Sequence, residues 1–527
     1  MNRFSFLAAW ALVASPWVLL AQGNSCKNVA STTPDYSCWN GTNCLDYLEP
    51  APIGIDARYA WRFPGGRGAG IKVFDVTGSY RFSHEDLPAP FFPLNPSLPP
   101  ADYEHETGAV GIIVACDNGY GVTGIANQAQ VGFQRPLDKR ADDDERDLFS
   151  RGISNAVSML NPGDVIWISG DMSGAPTNDA ATAVCAHKNY GHVPIEWEQW
   201  EFEAISAATR KGIIFCEAAG NGEMNLDDDR YEGKFDRSAR DSGAIIVGAG
   251  QSPRFGFTRR YDPDCLLLPL VERAPHYWCG YGTRVDVQGR GDSISTTGIG
   301  SNVLPTGWAA NSNELYTAGY GGTSGATPMV AGAVACIQGF LKAQGRPVLT
   351  PVEMRDLLVA TGIPQQQADV TGDGVVDVRH IGPLPNLRAA INALLPTSLA
   401  AGHFNNDSYE DLAIGVWARY GCADRDLLPG YILAFYGKGL IGLESTDFAT
   451  FPGLASPGPV RITSIRRQGN LVTLRWDCDH GRYQLQKKAS LVANWVDVGN
   501  PVSGNFIALT VTDAVAFYQI VSLPLFE

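Results

Sequence analysis

The sequence predicts an α/β fold: a parallel sheet flanked by helices, followed by small all-β modules. Three observations carry this. Four short, continuous apolar runs rich in β-branched residues occur in the first two thirds of the chain: "GIKVFDV" from Gly70, "GDVIWIS" from Gly163, "GIIFCEAAGN" from Gly212 and "GAIIVGAG" from Gly243. Without polar alternation they read as strands buried on both faces, which is the signature of a parallel sheet. Helical patterns such as "FEAISAATRKG" lie between them. Near the C-terminus the pattern changes to period two. Val472, Leu474 and Trp476 share one face there, as do Ile507, Leu509 and Val511, which predicts a small antiparallel module, sandwich-like in form.

The elements follow in chain order. Residues 1–23 read as a secretory signal peptide. Arg3 precedes the apolar run "SFLAAWALVASPWVLLA", and Ala21 and Gly23 are small residues suited to cleavage. Residues 24–50 form a segment containing Cys26, Cys38 and Cys44. Residues 51–395 carry the α/β pattern, residues 396–455 a short unit with linkers, and residues 460–527 the terminal β module. No segment after the signal reads as apolar enough to span a bilayer, so no membrane span is expected in the mature protein. The net charge is −15 and the pI about 5.0, which argues against nucleic acid as the main partner and offers no basic patch for anionic membranes. Of the 11 cysteines, Cys265 and Cys279 bracket one loop and are the favoured disulfide pair, as export would permit. Cys116, Cys216 and Cys336 lie in apolar patterns and read as buried thiols. Oligomeric state has no signal in the sequence.

The chemistry begins at "GYGGTSGATPMVAGAVACIQGF", residues 319–340. Ser324 stands among residues too small to cover it and leads into an apolar helix, with Pro328 expected early in that helix. A hydroxyl there meets backbone N–H groups able to receive an oxyanion, although an N-cap serine has the same surroundings. A nucleophilic serine needs a base, and the base an orienting group. His105 opens a second helix-like run, "HETGAVGIIVACDNG". Asp75 ends a buried strand, where an unpaired carboxylate would be costly. Asn221, in "AAGNG", follows another strand and carries an amide able to donate to an oxyanion.

The order Asp, His, Ser differs from the His, Asp, Ser of trypsin-like enzymes and the Ser, acid, His of α/β-hydrolases. Residues 51 to about 395 resemble the catalytic domain of a subtilisin-like serine peptidase, a subtilase. "GGTSGATPMVAG" matches the family's serine motif, "HETGAVG" its histidine motif, "VFDVTG" its aspartate strand and "AAGN" its oxyanion asparagine. "GVTGIANQAQV" is similar to the segment after the histidine helix. The resemblance implies a secreted endopeptidase acting on polypeptides, with no cofactor needed for the chemistry. It makes Ser324 the nucleophile, His105 the general base and then acid, Asp75 the orienting group and Asn221 the oxyanion donor. The strand in "VIWISGD" would pair with an extended substrate, which makes Ser169 and Gly170 substrate-binding positions.

Two departures stand out. Val76-Thr77-Gly78 follows the aspartate where Thr-Gly or Ser-Gly is usual, and Glu106 replaces the glycine after the histidine. Glu106 reads either as a solvent-facing carboxylate favoured by the helix N-terminus or as a neighbour that raises the pKa of His105. It is also the feature favouring one alternative function, a catalytically weak peptide-binding protein; the other alternative, a surface-adhesion protein, has the appended C-terminal modules as its only support. Only about 30 residues separate the signal from the catalytic pattern, fewer than the family's usual folding propeptide. His84, His187, His192 and His276 lie in polar stretches and are expected to be solvated. His380, His403 and His480 follow Ser324 as an esterase would require, but Ala326 replaces the second glycine of the nucleophile elbow.

Two segments suggest structural calcium. "DVTGDGVVD" places oxygen side chains at alternate positions from Asp369 to Asp373, with Gly374 at the sharp turn and Asp377 beyond it, and resembles the start of an EF-hand-type loop whose ligand candidates are Asp369, Asp373 and Asp377, with His380 at its twelfth position. "HFNNDSYEDL" resembles the calcium loop of an FG-GAP repeat, with Asn405, Asp407 and Asp411 as ligand candidates. The terminal module resembles fibronectin-like appendages of exported bacterial enzymes.

Overall fold

The computed structural model describes residues 26–27, 31, 33–36, 45–92, 104–134, 148–175, 191–252, 270–298, 312–370 and 374–395, and beyond them the backbone of a set of strands. Residues 1–23, and with them the expected signal peptide, lie outside the described residues, as do His187, Cys265, Asp373, Asn405 and Asp407. The chain divides into two units, Met1–Ala393 and Leu394–Glu527.

In the first unit the strands are β1 (Lys72–Asp75), β2 (Gln130–Phe133), β3 (Val165–Ile168), β4 (Met172–Ser173), β5 (His192–Val193), β6 (Ile214–Ala218), β7 (Ile245–Gly250), β8 (Val287–Arg290), β9 (Ile294–Thr297) and β10 (Tyr316–Tyr320). The helices are α1 (Ala57–Ala60), α2 (Glu104–Val114), α3 (Leu148–Met159), α4 (Gln199–Arg210), α5 (Thr323–Ala343), α6 (Pro351–Thr361) and α7 (Leu387–Leu394). Six strands form one sheet in the order β2-β1-β3-β6-β7-β8, and every pairing in it is parallel. The four apolar runs are its central strands, as their composition predicts. β2 and β8 join them at the edges. β9 and β10 form a separate antiparallel pair, and so do β4 and β5.

The sheet is buried on both sides. Phe74, Ile166, Ile168 and Phe215 meet Ile153 and Ala156 of α3 and Ile205 and Ala208 of α4 in one apolar cluster. α2 and α5 pack together, with α5 lying along β3, β6, β7 and β8. α5 is buried from Thr323 to Leu341. It is long and apolar enough to cross a membrane, contrary to the expectation from sequence, but all of it except the last two residues is core. Small residues allow this depth: a Cβ on Gly332 would lie 2.9 Å from Ile125 and one on Gly339 2.3 Å from the Gly65 carbonyl. Pro328 falls in the second turn of α5 rather than the first, so the Ser324 carbonyl loses its helical donor.

In the second unit the described residues beyond 395 are strands: β11 (Ala400–Gly402), β12 (Asp411–Val416), β13 (Tyr431–Phe435), β14 (Phe448–Thr450), β15 (Ile462–Gln468), β16 (Leu471–Trp476), β17 (Arg482–Lys488), β18 (Val496–Asp497), β19 (Val502–Ser503), β20 (Phe506–Thr510) and β21 (Phe517–Leu523). β11 to β14 form one antiparallel sheet, β15-β16-β20 a second, and β17 with β18, β19 and β21 a third. Val472 pairs with Leu509 and Leu474 with Ile507, so the two alternating faces read from sequence are one face of one sheet. Asp411 begins β12, whereas the FG-GAP resemblance places it in a loop.

The cysteine assignments need correction. Cys26 is disulfide-bonded to Cys116, so Cys116 is not a free thiol, and Cys279 is a buried free thiol rather than the partner of Cys265. Cys216 and Cys336 are buried and free, as expected. Spacing could not show that the N-terminal segment returns to the end of α2. Tyr36 docks there too, donating its N–H to the Gly121 carbonyl and meeting Tyr316 edge-on. The histidine expectation also fails in part. His84 and His276 are fully buried; burial pushes the His84 imidazole down to about 4, and His276 pairs with Asp292 at 2.7 Å.

Candidate active site

The site forms where β1, β3 and β6 end, facing the N-termini of α2 and α5, the position parallel α/β sheets favour for function. Asp75 is the last residue of β1 and has no exposed surface. Its Oδ1 accepts the Thr77 N–H at 2.8 Å. The Thr77 hydroxyl in turn accepts the Ser169 N–H at 3.0 Å, tying the β1 turn to the end of β3. The extra residue, Val76, that separates Asp75 from Thr77 and Gly78 is therefore part of an ordered turn.

Ser324 lies in the first turn of α5 after Gly322, whose φ of +80° suits glycine. Its hydroxyl donates to the Ser169 carbonyl at 3.1 Å. Asn221, beyond β6, is fixed from two sides. Its N–H donates to Asp171 Oδ2 at 2.8 Å, and its side-chain Oδ1 accepts from the Thr323 N–H at 2.9 Å and hydroxyl at 3.1 Å. With its oxygen so engaged, the amide presents its NH₂ as donor beside Ser324. Gly170 packs near Phe149, which a Cβ there would approach to 3.4 Å.

His105 lies in the first turn of α2, with about half of its side chain exposed. Its carbonyl accepts from the Tyr320 hydroxyl at 2.9 Å, and β9 holds the same turn through Thr296 and Thr297, whose hydroxyls donate to the carbonyls of Gly108 and Thr107. Among the described residues, the imidazole bonds neither Ser324 nor Asp75. Nδ1 lies 2.5 Å from Glu106 Oε1. Burial alone would lower its pKa, but the hydrogen bond and charge of Glu106, with the charge of Asp171, outweigh it and raise it. Glu106 is buried, so it is not the solvent-facing carboxylate. Asp75 is pushed well up, first by burial and then by the charge and hydrogen bonding of Glu106.

The structure thus brings Asp75, His105, Ser169, Gly170, Asn221 and Ser324 to one end of the sheet. Sequence reasoning missed Asp171 and Tyr320. The signal for Asp171 was a carboxylate just past a buried strand; it also pairs with His192 Nδ1 at 2.9 Å, so His192 is partnered rather than simply solvated. In the first calcium candidate, Asp369 Oδ2 accepts from Gly374 N–H and Asp377 Oδ2 from Val370 N–H, at 2.9 and 2.8 Å. Both carboxylates brace their own turn. Among the described residues, no three His, Cys, Asp or Glu side chains cluster as a metal site would.

The model of the subtilase family matches residues 73–382. Subtilisin NAT of Bacillus subtilis subsp. natto is 27% identical over 342 residues, covering 63% of this chain and 72% of that protein. Subtilisin of Bacillus pumilus is 27% identical over 321 residues, covering 60% and 92%. Among solved structures, one of proteases from Pseudoalteromonas arctica is 20% identical, covers 69% of this chain and 99% of its own, and has a TM-score of 0.42. With the family pattern spanning more than half of the chain, this protein belongs to the subtilase family and is a subtilisin-like serine peptidase.

Proposed function

We propose that the protein is a secreted endopeptidase in which Ser324 attacks the peptide carbonyl, His105 takes and returns the proton, and Asn221 donates to the oxyanion. The buried carboxyl at Asp75 stands behind the base. The observation that carries this reading is the pairing of Asn221 with the first turn of α5. Thr323 holds the Asn221 oxygen, so the donor end of the amide and the Ser324 hydroxyl belong to one rigid unit. Donors fixed before charge develops stabilise it without reorganisation. The end of β3, with Ser169 and Gly170, is the proposed binding edge for an extended polypeptide. Export rests on the signal-like residues 1–23.

The Ser324 hydroxyl bonds the Ser169 carbonyl rather than His105, which favours the second reading, a subtilase that binds peptides but hydrolyses them slowly. Casein hydrolysis separates the two. Wild-type activity that Ser324→Ala and phenylmethylsulfonyl fluoride both abolish supports the endopeptidase; a folded, inactive wild type supports the binder. A structural calcium in the Asp369–Asp377 loop is a separate part of the proposal, supported by its alternating oxygen side chains and by Gly374 at φ +85°. Calorimetric titration with calcium should give binding heat that Asp373→Ala removes, and an identical trace from the variant would reject that site.

A further inference from the structure

We propose that Glu106 is a positioning residue inserted between Asp75 and His105, so that the acid of this site is a pair of carboxyl groups sharing one proton. This rests on the assignment of His105 as the base. Glu106 Oε1 takes the His105 Nδ1 contact at 2.5 Å. Glu106 Oε2 and Asp75 Oδ2 are both buried without a hydrogen-bond donor, and the two carboxyl groups are hydrogen-bonding neighbours. Two facing acceptors in a site closed to water leave both groups unsatisfied. A single proton between them satisfies both, as like charges this close cannot both ionise. Asp75 is the member that holds it: its Oδ1 accepts from Thr77 N–H, and its protonated Oδ2 donates to Glu106 Oε2. Glu106 remains ionised and accepts the imidazole N–H. The pair then carries one negative charge, as a lone orienting aspartate would.

The fold makes room for this arrangement. A Cβ on Gly78 would come within 3.1 Å of Glu106 Cγ, so the glycine in the β1 turn clears the path of the glutamate. Asp75 from β1, Asp171 beyond β3 and Tyr320 from β10 are the titratable groups that bear on the pair and on His105. β2, β9 and the first turns of α5, which also pack on α2, bring no carboxylate, imidazole or ammonium group to it.

The test is the titration of the His105 imidazole by NMR in the full-length Ser324→Ala protein, assigned with His105→Gln. It reads the pair whether or not the wild type hydrolyses peptides. Glu106→Gln should lower the His105 pKa, and Asp75→Asn should leave it nearly in place, since an amide replaces a group already neutral. The opposite pattern, a fall in Asp75→Asn and none in Glu106→Gln, overturns the proposal. If Glu106→Gln fails to fold, Asp75→Asn decides alone. In the active enzyme, Glu106→Gln should lower kcat by up to about 10⁴-fold, the loss expected when a base loses its orienting carboxylate. KM should be little changed, and Glu106→Asp should recover part of the rate. A larger kcat loss in Asp75→Asn than in Glu106→Gln also overturns the proposal. A wild type that fails to hydrolyse casein while the imidazole titrates as described would sink the endopeptidase reading and leave the carboxyl pair standing.

Discussion

Asn221 meets α5 through its acceptor oxygen, which leaves the NH₂ as the end of the amide free for the oxyanion role proposed for it. Asn221→Ala should therefore lower kcat by about 10²- to 10³-fold with KM little changed, measured by initial rates on a peptide substrate; a loss confined to KM would make Asn221 a binding residue instead. At this scale the sequence was informative about which residues meet and much less so about how they touch. Asp75, His105, Asn221 and Ser324 could be picked out because each follows a strand or opens a helix. The reading of Glu106 as a neighbour that raises the pKa of His105 is the one the structure bears out; its contact with Asp75 could not be read, because it depends on the direction of one side chain in the first turn of α2. Only the replacement of a glycine hinted at it. Nor could the burial of His84 and His276 be read, since it depends on partners distant in sequence: the Leu315 carbonyl and Tyr316 ring for His84, and the Asp292 carboxylate for His276.

α2 carries His105, the proposed base, and other elements hold its first turns. Tyr320 bonds the His105 carbonyl, and β9 bonds the next carbonyls through two threonines. Gly108 permits this approach: a Cβ there would fall 2.5 Å from the Tyr320 ring. Gly108→Ala should push ring and helix apart, with an overpacking cost of about 1–3 kcal/mol. Differential scanning calorimetry should show a lower Tm, and kcat should fall as His105 moves; a variant with wild-type Tm and rate would show that the ring yields freely. The central strands were legible because strands buried on both faces are apolar without a break. β2 and β8 were not, because "QVGF" and "VQGR" are too short and too polar to stand out. The alternation of the terminal module was legible, and the cross-strand register supplies its reason.

Across the whole first unit, the site is assembled from distant parts of the chain. β1 brings Asp75, α2 His105, β6 Asn221 and α5 Ser324, and the Cys26–Cys116 bond fastens the N-terminal segment just past α2. Parallel pairing gathers the strand ends on one side of the sheet, and two buried helices close over it. The order of motifs along the chain was therefore enough to predict the architecture, while disulfide partners, which depend on the path of loops, were not predictable. The central claim is that this architecture makes Ser324 a nucleophile. The most direct measurement is covalent labelling of the folded full-length protein with phenylmethylsulfonyl fluoride, followed by peptide mapping by mass spectrometry. The account predicts one sulfonyl group per molecule, on Ser324, with the label lost in His105→Ala although Ser324 remains. Label on another residue, or none on a folded wild type, would contradict it.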